Sequence, residues 1–158
     1  MRVDVSDLFL QKLVVGFFWK LSDSFSPIAE WFEVNKDYVV REIKDKEDLI
    51  FLIKNRLLKV LVIGVNSLEE AYEIKQFLDF KISVELRREL EVIYVSPQVQ
   101  TLDPKTTFLW SANLVLNPQH LSEFSTIYTK GLSYWEDLYK HFKKTQKYFF
   151  EKSIEGGV

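Results

Sequence analysis

The side chains able to do chemistry in this chain gather just past its apolar runs. Trp19, Ser22 and Asp23 follow the first run, Asn66 the third, Ser96 the fourth and Asn117 the fifth. If those runs are parallel strands, all six residues share the carboxyl edge of one sheet, where open α/β folds place their ligands. Hydroxyl and amide groups beside helix amino ends can hold a small anion or the phosphate of a nucleotide. The same residue types also cap helices and close loops. No carboxylate pair and no nucleophile–base pair converges among them, so no catalytic residues and no enzyme are expected.

Other candidates are sparse. Thr101, Asp103 and Asn113 could form a polar recognition surface, or Asp103 could cap a helix at Pro104 while Asn113 closes a turn. His120 and His141 have no acidic or histidine partner at ligand spacing, and the chain has no Cys, so no metal site is expected. Glycines stand singly at 16, 64 and 131 before the tail pair, and no Gly-rich phosphate loop or hydrolase signature occurs. No cofactor is expected.

Composition narrows the classes further. The chain has 158 residues, 47% apolar and 28% charged, a size suited to one domain with a substantial core. A formal net charge of −2 argues against a nucleic-acid partner. The apolar runs, such as Val60–Val65, are strand-sized, well short of the roughly 20 residues that span a bilayer. No secretory leader is evident, and the lack of Cys suits a reducing compartment, so the expectation is a cytoplasmic, soluble protein with no membrane partner.

The elements that must position these residues follow from periodicity. Apolar or β-branched runs at 13–19, 38–43, 59–65, 91–96 and 112–116 read as strands. Between them lie capped amphipathic stretches. Ser26 precedes Pro27, Asp45 precedes Asp48 by three, and Asn66 or Ser67 precedes Glu69 and Glu70. Residues 80–89 read as a connection with room for a helical turn, and Asp103-Pro104 starts a short helix. Alternating strands and helices with short loops predict an α/β, doubly wound, five-stranded parallel sheet. The predicted division is 1–134 as the α/β domain, 135–154 as an extension of the last helix, and 155–158 as a frayed tail.

Over residues 12–134 this order resembles the response-regulator receiver domain, a flavodoxin-like fold, which implies strand order 2-1-3-4-5. The resemblance also implies two acids after the first strand, an Asp ending the third, a Ser or Thr ending the fourth, and Lys-Pro ending the fifth. Here those places hold Phe18-Trp19-Lys20, Gly64-Val65-Asn66, Ser96 and Asn117-Pro118. A phosphoaspartate needs a carboxylate, and Mg²⁺ needs oxygen ligands. The chain therefore looks like a pseudo-receiver. The stretch Thr101-Leu102-Asp103, Phe108 and 111–117 (SANLVLN) is similar to uncharacterised bacterial receiver-like domains often joined to a zinc ribbon. That resemblance implies a signalling or scaffolding role and no known activity.

The last helix, predicted from about 119 to 152, is the most informative element. Phe124, Tyr128, Gly131, Trp135, Leu138, Phe142, Thr145 and Phe149 alternate in steps of four and three, a heptad seam. Such a helix is about 50 Å long at ~1.5 Å per residue, roughly twice what the sheet can cover. The stripe beyond Gly131 needs a further surface: a twin in a homodimer, another protein, or the same chain folded back at Gly131. Burying Trp135, Leu138, Phe142 and Phe149 at about 1.5–3 kcal/mol each would gain roughly 6–12 kcal/mol. Lys140, Lys143, Lys144 and Lys147 on that helix read as a solvated face complementing the helix dipole. The leading expectation is a non-catalytic interaction module using the fifth strand and last helix. The alternative is a small-anion or nucleotide sensor using the strand-end pocket.

Overall fold

The structure is a computed structural model and describes residues 12–133. Five strands form one parallel sheet: β1 (Val14–Trp19), β2 (Val39–Glu42), β3 (Leu58–Gly64), β4 (Glu91–Val95) and β5 (Leu114–Leu116). Their order is β2-β1-β3-β4-β5, as expected. The central strands are apolar throughout because helices cover both faces: every residue of β3 is buried except Lys59.

Between the strands lie α1 (Ser26–Lys36), α2 (Lys46–Lys54), α3 (Leu68–Lys81), α4 (Val84–Glu89) and α5 (Pro104–Leu109). After β5 come a 3-10 helix over Pro118–Glu123 and a last helix, α6, described over 124–133. Ile28 and Phe32 of α1 pack with Leu121, Phe124, Ile127 and Tyr128 on one face of the sheet. Leu49, Leu52, Ala71, Ile74, Leu78 and Trp110 pack on the other. Among the described residues no helix is long and apolar enough to cross a membrane.

The caps show local chemistry selecting helix starts. Asp45 Oδ1 accepts the Asp48 amide at 2.8 Å, and Ser67 Oγ accepts the Glu70 amide at 3.2 Å. Ser67, not Asn66, is therefore the cap of α3. Ser26 is not a cap either: α1 begins at Ser26 behind Phe25, with no side-chain cap bond. The 80–89 connection resolves into the end of α3 and a separate α4, whose start Ser83 caps through the Leu86 amide. The last helix begins later than expected, because Pro118–Glu123 winds as a 3-10 helix first. No peptide bond is cis among the described residues, the Asn117–Pro118 bond included.

One loop crosses to the far side of β5. Leu102, with a left-handed backbone at φ 63°, donates its amide to the Val115 carbonyl at 3.0 Å. Beside it, Thr101 Oγ1 accepts the Asn117 amide at 2.9 Å.

Candidate functional site

At the carboxyl edge, β1 ends on Trp19, whose indole N–H donates to the Asp23 carbonyl at 2.7 Å. Its ring meets Phe17 and Phe25 edge-on, with centroids 6.3 and 5.7 Å apart. The Asn66 amide donates to the Lys20 carbonyl at 3.1 Å, and the Lys20 amide to the Gly64 carbonyl at 2.8 Å. Trp19, Asp23 and Asn66 thus tie the β1–α1 loop to the end of β3. Asp23 takes part through its backbone.

Ser96 and Asn117 serve the neighbouring loop. Ser96 is fully buried, and its Oγ accepts the Gln98 amide at 3.2 Å. Asn117 Nδ2 donates to the Val99 carbonyl at 2.9 Å, while its Oδ1 accepts the Gln119 amide at 3.0 Å. Replacing Asn117 by Ala removes a cap and a cross-loop bond, so stability should fall by about 2 kcal/mol. Urea unfolding checks this, and a loss under ~0.5 kcal/mol would make the loop independent of Asn117.

Thr101 adds a contact the sequence does not announce: its hydroxyl lies 2.7 Å from His120 Nδ1. A hydroxyl on an imidazole has the make-up of a nucleophile–base pair, which a third group must orient to work. The Thr101 oxygen is already held by the Asn117 amide, and among the described residues no third side chain hydrogen-bonds the ring. It fastens the loop. Asp103 accepts the Thr106 hydroxyl at 2.6 Å, which holds its carboxyl below the usual carboxylate range. Asn113 lies at the other end of β5, clipping its start to β4 through the Val92 amide at 2.8 Å. Thr101, Asp103 and Asn113 therefore do not form one surface.

A cleft of about 610 Å³ does open at the carboxyl edge, between α2 and α3 over Phe18. Lys20, Lys44 and Lys46 line it together with Glu47, Glu70 and Glu73. None of Trp19, Asp23, Asn66, Ser96 or Asn117 lines it. Asp45 lines it too, so four acids face three lysines and the cleft has no bias toward an anion. Among the described residues no group of three or more His, Cys, Asp or Glu is placed to hold a metal ion.

The most elaborated polar contact lies at the opposite, amino edge. Glu91 opens β4, and the Tyr128 hydroxyl of α6 donates to its two carboxyl oxygens at 2.8 and 3.0 Å. Burial pushes the Glu91 carboxyl up, against the pull of the Tyr128 hydroxyl and of Lys59 and Lys36. Burial first, then the Glu91 charge, raises Tyr128 and Tyr38 as well. Tyr128 stacks on Phe124 at 5.3 Å, and Trp31 leans on both while its indole donates to Ser125 Oγ at 3.1 Å. Phe124 and Tyr128 are buried in the domain's own core, at 1% and 4% exposed. Trp135, Leu138, Phe142 and Phe149 lie outside the described residues, as do 135–154 and 155–158 of the predicted division. Gly131 is a close approach rather than a bend: it is helical, and a Cβ there would come within 2.6 Å of Leu114 Cδ1.

No family model matches the chain. No curated protein matches it either. Among solved structures, it is similar to a protein from Burkholderia pseudomallei described as pilus assembly-related. That match has 14% identity and a TM-score of 0.44, covering 75% of this chain and 90% of the other. Nothing about function follows from a likeness that distant.

Proposed function

We propose that the chain is a non-catalytic, receiver-like interaction module of a bacterial signalling or regulatory assembly. Its contact is made by the last helix and the fifth-strand face from which that helix departs. One observation carries this reading. By Tyr128 and Gly131, α6 has already reached the first residues of β4 and β5, Glu91 and Leu114. The sequence nevertheless continues its heptad through Trp135, Leu138, Phe142 and Phe149, past the point where α6 meets the first residues of the described strands.

The absence of catalysis is part of the proposal. The positions at which receivers bind phosphate and metal are spent on loop-tying bonds, such as that of Asn66 to Lys20. Phosphoryl transfer from acetyl phosphate to the chain would overturn it.

Light scattering on the full chain and on a version ending at Ser133 tests the contact. A dimer that becomes a folded monomer on truncation makes the partner a second copy. A folded monomer in both cases leaves the stripe to another protein. Unfolding on truncation means that the later positions pack on this domain, and the interaction reading fails. A second reading is a small-anion or nucleotide sensor at the carboxyl edge, where the cleft over Phe18 opens without a charge bias toward anions. Nucleotide at 100 times a hypothetical Kd would add ~2.7 kcal/mol of stability, and no thermal shift at millimolar nucleotide would remove that reading.

A further inference from the structure

We propose that Glu91 and Tyr128 form a proton-operated latch on the last helix, closed while Glu91 carries a proton and loosened when it ionises. Glu91 is in register with Val60 and alternates with Ile93 and Val95, all three of them fully buried. Its carboxyl therefore enters the layer between the sheet and the α1–α6 pair. An acid at an inward strand position is rare unless it is paired.

Among the described residues no cation comes within ion-pair distance. The groups facing the carboxyl are the Tyr128 hydroxyl from α6, Tyr38 from the turn before β2, Lys59 from β3 and Lys36 from the last turn of α1. β5 offers only Leu114, Val115 and Leu116. Burial outweighs the two lysines and the phenol, so the seated helix favours the neutral carboxyl.

Linkage gives the direction. A released helix exposes Glu91 to water and returns it to an ordinary carboxyl, while the seated state binds the proton more tightly. Between those two values the seated state holds more protons. Raising the pH therefore shifts the balance toward release, and the effect levels off above the seated value. The opening constant can rise by at most about tenfold per pH unit within that window.

The use of such a latch in partner binding rests on the interaction reading above, but its test does not. Hydrogen exchange of peptides spanning 121–133 is followed in the full chain from about pH 4 to about pH 8, corrected for intrinsic rates. Wild-type protection should fall with pH and then level, while Glu91→Gln, neutral and still an acceptor for Tyr128, stays protected and flat. Tyr128→Phe removes the donated hydrogen bond from the carboxylate, so its window should move to higher pH. A Glu91→Gln profile with the wild-type slope, or a flat wild type, overturns the latch. A version ending at Ser133 that unfolds, with the exchange pattern of the full chain intact, would remove the interaction reading and leave the latch standing.

Discussion

Phe124→Ala should lower unfolding free energy by about 3–5 kcal/mol, the largest effect expected of a single truncation here. Phe124 is 1% exposed and sits at the meeting point of three elements. Its ring lies 5.8 Å from both Trp31 and Phe32 of α1 and 5.3 Å from Tyr128 one turn along α6. The void left by a benzyl group is flanked by other large rings, which cannot close it without breaking their own edge-to-face packing. The Trp31–Ser125 and Tyr128–Glu91 bonds sit on the same helix turns, so they weaken together with the packing. Urea unfolding should show a lower midpoint with the slope preserved. A loss below ~1 kcal/mol would mean that α6 peels away before the rest of the domain and contributes nothing to its cooperative stability.

Gly64→Val should cost about 1–3 kcal/mol and act locally on the carboxyl edge. A Cβ on Gly64 would stand 2.5 and 2.7 Å from Trp19 Cε3 and Cδ2. The indole has little freedom to retreat, since it is pinned by its bond to the Asp23 carbonyl and by the rings of Phe17 and Phe25. Adding a branched side chain at the end of the central strand therefore ejects Trp19 or shifts β3 against β1. Tryptophan fluorescence should move toward the solvent-exposed value in Gly64→Val with Trp31, Trp110 and Trp135 each replaced by Phe. An unchanged spectrum and stability would show that the indole can be accommodated elsewhere at no cost.

Much of the architecture is legible in the sequence because burial on two faces demands it. A run such as Lys59–Val65 has few alternatives to a central parallel strand, and the strand order is the one that the receiver resemblance implies. Helix starts are less legible, because Ser26, Asn66 and Ser67 are chemically equivalent caps and only packing chooses among them. The candidate pocket shows a different limit. Trp19, Asp23, Asn66, Ser96 and Asn117 do lie along one edge, as their spacing implies, yet the polar side-chain atoms of Trp19, Asn66, Ser96 and Asn117 turn to neighbouring backbone. The charged lining of the cleft comes instead from lysines and acids of α2, α3, the loop before α2 and the loop after β1, ordinary surface residues when read in sequence. Glu91 has a visible signal in retrospect: it occupies the inward phase of Glu91, Ile93 and Val95. At the first position of a strand an acid reads as a boundary, and only the fold brings Tyr128 over it from 37 residues away.

The loop that carries Leu102 past β5 has a consequence for how this molecule behaves in a crowded cell. An outer strand is normally a template onto which a foreign extended segment can add, and β5, at three residues, is already a short one. Here the Val115 carbonyl is consumed by Leu102 and the Asn117 amide by Thr101, so that ladder has no run of vacant rungs to offer. Holding a leucine in a left-handed backbone costs on the order of 1–3 kcal/mol, and the hydrogen bonds made from that loop cover the β5 margin of the sheet against strand addition.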